Sequence, residues 1–270
     1  MIMPAPFYPG KSSSNTSNGQ PLSKDEFINE LVRLGKERYH SLHPFHKLLH
    51  SGKLSHSQVQ AWALNRFYYQ WSIPRKDLTL MARIDDVDLR LEWRSRVIDH
   101  EGDMDGSGGI KRYLQLCEKL GLDLDYVKSC EGLIPASKFA VDSYISFVRE
   151  KSLLEAIASS LTEIYAPEIH KSRIAGLSKH YDWADDYALA YFKKRISQAR
   201  KDVEFGREWV IKNAKTRDDQ DAVLKAVRFK TEVLWAQLDA LYYCYVNPGF
   251  IPKGAFVPKG FEGNSWENIK

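Results

Sequence analysis

The sequence predicts an all-α protein, folded as a compact bundle of about seven main helices. Apolar residues recur three and four positions apart through most of the chain, which is the spacing of amphipathic helices. No stretch bounded by turn residues alternates between apolar and polar side chains, as a half-buried strand would. No repeat with a period of roughly 20–50 residues is visible, so a solenoid is not indicated.

The helices are expected in the following order. The first covers residues 24–38, and the second starts at Ser55, where Ser55 and Gln58 have the spacing of a capping box. The second run continues to residue 83, although Pro74 lies inside it and is expected to bend it or end it. Further helical patterns cover residues 87–102, 108–121, 136–150, 152–175, 183–213 and 218–245.

Both ends of the chain differ in composition from the helical part, residues 23–246, which is the expected catalytic domain. Residues 1–22 are rich in Pro, Ser, Asn and Gly. They predict a flexible tail, because such a segment buries too little apolar surface to offset the entropy lost on ordering. Residues 247–270 contain several Pro and Gly and predict an irregular C-terminal tail, whose apolar side chains could hold it against the body.

The composition narrows the possible functions. The 39 basic and 35 acidic residues are interleaved, so the basic stripe typical of nucleic-acid binding is not present. No apolar run approaches the ~20 residues of a membrane span, and the N-terminus lacks the pattern of a secretory signal. The 3 cysteines form no Cys-x-x-Cys pair, which argues against a disulfide framework and favours the cytoplasm.

Large polar residues occupy core-facing positions on several predicted helices. They are Arg66, Gln70 and Asp77; Glu163, His170 and Arg173; Tyr191, Arg195, Gln198 and Asp202; and Lys230 with Gln237. Each one alone is more simply explained as a surface residue or half of an ion pair. Their recurrence on separate helices instead indicates a shared polar pocket inside the bundle. Its Arg and Lys residues outnumber its carboxylates, so a polycarboxylate anion is the expected ligand.

Histidines are concentrated in one segment, where His40, His43, His46 and His50 follow each other closely. Such a cluster invites a metal-site hypothesis, but the di-iron pattern of helical bundles repeats a Glu-x-x-His pair on two helices, and the chain contains one such pair, Glu37 and His40, with no matched second pair. We therefore predict no metal site. Acid–base work near neutral pH is the favoured role for one or two of the histidines.

Several stretches together resemble the pyrroloquinoline-quinone (PQQ) synthase family: residues 39–44, 65–70, 73–77, 99–100, 139–144, 159–163, 166–173 and 195–199. The resemblance runs from about residue 24 to residue 245. It implies a seven-helix fold of the haem-oxygenase or thiaminase-like type, usually a homodimer. It also implies an enzyme without metal or organic cofactor, which closes and oxidises the last ring of PQQ. The substrates would be a multiply carboxylated quinone amino acid and O2, and the products PQQ and H2O2.

The resemblance further implies roles for individual residues. His100 resembles the general acid–base group, and His170, Tyr191 and Arg195 resemble the cluster that handles oxygen and peroxide. The residues that resemble substrate contacts are His40, Arg66, Tyr69, Gln70, Lys76, Tyr144, Glu163, Arg173 and Lys230. Two alternatives stay open: a metal-dependent oxidase on the same bundle, using Glu163 and His170, and a non-catalytic carrier of the same ligand.

Overall fold

The computed structural model describes residues 19–104 and 106–265, without the side chains of residues 197, 199–203 and 265. Within these residues the chain is a bundle of α-helices. They are α1 Lys24–Arg38, α2 Pro44–His50, α3 His56–Met81, α4 Val87–Glu101, α5 Gly109–Lys119, α6 Leu124–Ser129, α7 Pro135–Glu150, α8 Leu153–Ala158, α9 Ala166–His180, α10 Ala190–Asn213 and α11 Arg217–Tyr245. Two 3₁₀ helices, His40–Leu42 and Ser159–Tyr165, join α1 to α2 and α8 to α9.

The ends of the described chain are attached to the bundle. The backbone N–H of Leu22 donates to Gln220 Oε1 at 2.7 Å, and the Gln220 amide donates back to the Leu22 carbonyl at 3.0 Å. Two short parallel strands, β1 Phe250–Ile251 and β2 Asn264–Ser265, pair with each other after α11. Most of the expected N-terminal tail, residues 1–18, and the last part of the C-terminal one, 266–270, lie outside the described residues.

Helix α3 contains Pro74, where the sequence predicts either a bend or an end of the helical run. The capping box at Ser55 and Gln58 is confirmed, but the helix does not end at Pro74 and continues to Met81. A proline inside a helix costs about 3 kcal/mol through its missing N–H and its ring. Residues on both sides of Pro74, among them Ile73 and Leu80, are buried in the core. Tertiary packing of this kind outweighs the local preference.

Two other predicted helices are shorter than expected. The run 152–175 is divided into α8, the 3₁₀ helix Ser159–Tyr165 and α9, whose first turn contains Pro167, a place where the missing N–H is not needed. The run 183–213 begins only at Ala190. Before it, the Asp185 side chain accepts the N–H of Ala188 at 2.9 Å, a local turn that competes with helix formation. The short helices α2 and α6 were not predicted.

The apolar interior has two main parts. One contains Trp62 and Phe67 of α3 together with Phe192 of α10, and the other contains Phe27 of α1 and Trp93 of α4. The partly buried ring of Tyr69 in α3 packs against both. This arrangement matters for function because the polar residues of α3 lie at the meeting point of the two parts. Among the described residues, none of the helices combines the length and apolar character needed to span a bilayer.

A test of the packing uses two buried helical glycines. A Cβ added to Gly35 in α1 would occupy the position of Tyr165 ring atoms, whereas one added to Gly206 in α10 would meet only Leu161 Cδ2 at 3.6 Å. Alanine otherwise favours a helix by about 1 kcal/mol over glycine. We therefore expect Gly35→Ala to lower the free energy of unfolding by about 1–3 kcal/mol through overpacking, and Gly206→Ala to maintain or raise it. Urea denaturation of both variants provides the measurement, and a Gly35→Ala variant as stable as Gly206→Ala would contradict this packing.

Candidate active site

A cavity of about 510 Å³, including its open side, lies between α3, α4, α9, α10, α11 and the two 3₁₀ helices. Most of the predicted site residues line it: His40, Arg66, Tyr69, Gln70, His100, Glu163, His170, Arg173, Tyr191 and Arg195. Other lining residues were not predicted to belong to the site: Tyr39, Ile73, Thr162, Ala166, Ile169 and Leu234. The sequence pattern of inward polar stripes therefore located the cavity but not its apolar wall.

Three predicted site residues, Lys76, Tyr144 and Lys230, lie in a layer behind the cavity wall. The Lys230 ammonium donates a hydrogen bond to Tyr69 Oη at 2.8 Å and lies 3.5 Å from the centre of the Tyr144 ring. Burial, and then the charge of Arg66, lowers the pKa of Lys230 well below its usual value. Lys230 does not line the cavity itself but is connected to it by this hydrogen bond to Tyr69, which does.

Lys76 is tied into a buried polar network. Its ammonium donates to the Asp77 carboxylate and, at 3.2 Å, to Ser160 Oγ, while Trp93 Nε1 donates to Asp77 at 2.7 Å. Burial opposes both charges, but the attraction between them outweighs it, so the pKa of Lys76 is raised and that of Asp77 is lowered. The charges of Lys76 and Asp77 neutralise each other, so this pair contributes little net charge to the cavity.

The carboxylate of Glu163 is also compensated. Arg96 donates to both of its oxygens, at 2.8 and 3.0 Å, and Arg195 lies 3.6 Å away. Burial opposes ionisation of Glu163, but Arg96 and Arg195 outweigh it and lower its pKa to about 2. Sequence reasoning missed Arg96, although it follows Trp93 and precedes His100 at helical spacing, so the rule of inward stripes could have found it.

Two further arginines of the wall have no such compensation. Among the described residues, no carboxylate lies within ion-pair distance of Arg66 or Arg173. The Arg173 guanidinium is 3% exposed. Burial, and then Arg66, lowers its pKa to about 10, which still leaves it charged at neutral pH. An uncompensated buried charge is costly, so the cavity is prepared for an anionic ligand.

His100 faces the cavity as a neutral base. Its Nδ1 lies 2.9 Å from the Arg96 carbonyl, and because a carbonyl can only accept, Nδ1 carries the hydrogen and Nε2 the lone pair. Burial, and then the charge of Arg195, lowers the pKa of His100 to about 4. The imidazole is therefore unprotonated at neutral pH and able to take up a proton.

The two other histidines of the cavity are neutral as well. Burial and neighbouring arginines hold the pKa of His40 and His170 well below the usual histidine value. The Nδ1 atoms of both rings are buried without a hydrogen-bond partner among the described residues. The ring of His170 faces Tyr191, with centroids 6.4 Å apart, and the Tyr191 hydroxyl donates to Gln70 Oε1 at 2.6 Å.

Two further predicted polar positions, Gln198 and Gln237, do not line this cavity. Gln237 lines a smaller neighbouring cavity that shares His40 and Arg66 with the main one. The side chain of Asp202 lies outside the described residues. In the described part of the chain, no group of three or more His, Cys, Asp or Glu side chains is placed to hold a metal ion.

Comparisons with known proteins identify relatives along most of the chain. A family model described as the TENA/THI-4/PQQC family matches residues 28–240. The pyrroloquinoline-quinone synthase of Granulibacter bethesdensis is 55% identical over 238 residues, which cover 88% of this chain and 93% of that protein. The pyrroloquinoline-quinone synthase of Rhizobium meliloti is 56% identical over 233 residues, covering 86% and 91% of the two chains.

The fold also has solved counterparts. A domain of unknown function with a heme oxygenase-like fold from Shewanella denitrificans superposes with a TM-score of 0.66 over 84% of this chain and 96% of that one. Its sequence identity is 15%, so this likeness concerns the fold alone. The predicted all-α bundle of the haem-oxygenase-like type is confirmed. Its described part has more helices than the expected seven because short elements such as α2 and α6 were not anticipated.

The neutral state of His100 predicts a pH dependence of stability. Its pKa falls from 6.5 to about 4 on folding, so the unfolded chain binds a proton below pH 6.5 that the folded protein binds only near pH 4. Stability is thus fully present above pH 6.5 and lost as the pH falls towards 4, by roughly 3 kcal/mol from this group. His100→Asn, which does not titrate, should lose correspondingly less between pH 7 and pH 4 in urea denaturation. If the free energy of unfolding fell by the same amount in both proteins between pH 7 and pH 4, the low pKa of His100 would be contradicted.

Proposed function

Because the chain belongs to the TENA/THI-4/PQQC family, we propose that it is a cofactor-free oxidase acting in PQQ biosynthesis. In this proposal it carries out the last ring closure and the O2-dependent oxidation of the PQQ precursor, and releases H2O2. The observation that carries the proposal is the meeting, in one cavity, of two uncompensated guanidinium groups, Arg66 and Arg173, with a neutral base, His100. The homodimer and the cytoplasmic location remain predictions from the resemblance and the composition.

Binding of the precursor would depend on the positively charged side chains of the cavity wall. Arg66 and Arg173 would each hold a substrate carboxylate through two parallel hydrogen bonds, which bind more strongly than neutral ones and also set orientation. The hydroxyl of Tyr69, which accepts a hydrogen bond from Lys230, would face a quinone oxygen. Because Glu163 and Asp77 are already paired with cations, their carboxylates would not repel the ligand. A precursor with several carboxylates matches this excess of positive charge.

Proton transfer would fall to His100. Its Nε2 lone pair would take a proton from a substrate carbon or nitrogen during ring closure and oxidation. The Arg96 carbonyl holds the ring through Nδ1 and so keeps Nε2 as the reacting atom. An anionic ligand would offset the positive field of Arg195, which is the second cause of the low pKa of His100 after burial. Ligand binding would therefore raise the pKa of His100 towards neutral and make it a better base.

Electron transfer to oxygen would start from the substrate itself. As the newly closed ring loses protons from carbon, the electron pairs of those C–H bonds would pass into the quinone and convert it to the quinol. Each quinol would then give two electrons and two protons to O2, forming quinone and H2O2, so the proposed reaction draws on no metal or organic cofactor. The charge of Arg195, together with His170 and Tyr191, would stabilise the superoxide or peroxide anion as it develops. Preorganised positive charge acts more strongly between protein walls than in water, because the effective dielectric constant there is lower.

The test is anaerobic mixing of metal-stripped protein with the precursor, followed by addition of O2. We expect binding without O2, then PQQ absorbance, O2 consumption and H2O2 release after O2 is added. Activity only after restoring iron or manganese would favour a metal-dependent oxidase, and tight binding without O2 consumption would favour a carrier. Either outcome would overturn the proposal. Light scattering on the same preparation reports whether the chain is a dimer.

The role of His100 can be tested by the variant His100→Asn in the same experiment. Asparagine retains a donor for the Arg96 carbonyl but has no basic nitrogen. We expect the Kd for the precursor to stay within about threefold, and the rate of PQQ formation to fall about 10²–10⁴-fold, the usual contribution of a general base. Single-turnover kinetics separate the two effects. Wild-type turnover by this variant would show that another group takes the proton.

A further inference from the structure

Arg173 has an unusual set of contacts for a buried cation. The described residues give its guanidinium one hydrogen-bond partner, His46, whose Nε2 lies 3.3 Å from Arg173 Nη2. The Nε of Arg173 is buried and has no partner among these residues. The guanidinium also lies 5.0 Å from the centre of the Phe192 ring and 5.6 Å from that of Trp62. The direction in which Arg173 presents its remaining N–H groups therefore depends on His46.

The His46 ring is itself firmly placed. It is 2% exposed, its Nδ1 lies 3.0 Å from the His40 carbonyl, and it stacks on His50 with an interplanar angle of 14°. The carbonyl can only accept, so Nδ1 carries the hydrogen and Nε2 offers its lone pair to Arg173. Burial, and then the charge of Arg173, holds the pKa of His46 well below the usual value. His46 is therefore a neutral acceptor.

The same cavity shows what a charged acceptor would do. Glu163 accepts two hydrogen bonds from Arg96, and the two charges neutralise each other. The pair therefore has little net charge with which to attract an anionic ligand. A carboxylate at position 46 would act on Arg173 in the same way. A neutral imidazole orients the guanidinium by a hydrogen bond and leaves its full charge unpaired. This difference explains why a buried arginine of the cavity wall is held by a histidine.

We propose that His46 is a positioning residue, which orients Arg173 as a neutral acceptor and so keeps its charge available to a substrate carboxylate. His46 lines the smaller neighbouring cavity and not the main one, so it would act on a ligand in the main cavity through Arg173. The inference rests on the proposed function to the extent that the ligand is a polycarboxylate. It adds a residue whose contribution lies in the affinity and orientation of that ligand.

Three substitutions at this position separate orientation from packing. His46→Gln retains an amide donor for the His40 carbonyl and an oxygen acceptor for Arg173, so it should bind PQQ within about threefold of wild type. His46→Leu removes the acceptor and should raise the Kd for PQQ about tenfold, as expected for the loss of a charged hydrogen bond. His46→Glu pairs with Arg173 and should weaken PQQ binding more than His46→Leu, without a lower melting temperature than that variant.

The measurement is equilibrium dialysis with PQQ as the probe, with thermal melting of every variant. His56→Leu is the matched control, because His56 also has a ring nitrogen next to a carbonyl, that of Leu120 at 3.0 Å, but lines neither cavity. It should bind PQQ as wild type does. In an Arg173→Met background, His46→Leu should cause no further loss of affinity, since coupled residues are not additive.

The outcomes distinguish this inference from the proposed function. Wild-type protein that fails to bind PQQ would overturn both. If wild type binds, equal affinity in His46→Leu, or wild-type affinity in His46→Glu, would overturn the positioning role alone. The same holds if affinity falls in step with melting temperature across the variants, because a purely structural role predicts that pattern. Should His46→Leu fail to fold, the order of His46→Gln and His46→Glu still decides the question.

Discussion

The uneven compensation of buried charge is the constraint on which the rest of this structure depends. Glu163 and Asp77 are each paired with a cation inside the bundle, whereas Arg66 and Arg173 face the cavity without a carboxylate among the described residues. Arg173 is buried and Arg66 is partly buried, and burying charge without a partner costs stability. Burial of apolar side chains in the two parts of the interior offsets this loss of stability. The unpaired charges leave a cavity that is best suited to an anion.

Burial, and then the same positive charge, sets the protonation state of the histidines. Burial and the neighbouring arginines keep His40, His100 and His170 unprotonated. A cationic site that also needs a base cannot use a protonated imidazole, and here burial, followed by the charge of Arg195, keeps His100 neutral. Binding of an anion would reverse this effect locally, so ligand binding and basicity are coupled through one electrostatic field.

The 3₁₀ helix Ser159–Tyr165 links the fold to the site. It brings Thr162 and Glu163 to the cavity, and the Tyr165 hydroxyl at its end donates to the Leu31 carbonyl of α1. The tight contact of Tyr165 with Gly35 holds this segment against α1. A regular helix over these residues would turn neighbouring side chains by a different angle, because the 3₁₀ helix has about three residues per turn. The irregular segment therefore decides which residues reach the ligand.

The sequence by itself determined the helical class and most of the polar cavity wall, because helical periodicity shows which side chains share a face. It placed Arg66 and Gln70 on one stripe and His170 and Arg173 on another, and the structure brings these stripes together. Only the tertiary structure decided that α3 continues through Pro74 and that Lys230 lies behind Tyr69. The pairing of Arg96 with Glu163 and of Arg173 with His46 was decided at the same level. These outcomes depend on contacts between distant segments, whose energies exceed local preferences. Helical periodicity shows which side chains share a face, but it does not identify the partner that each side chain meets.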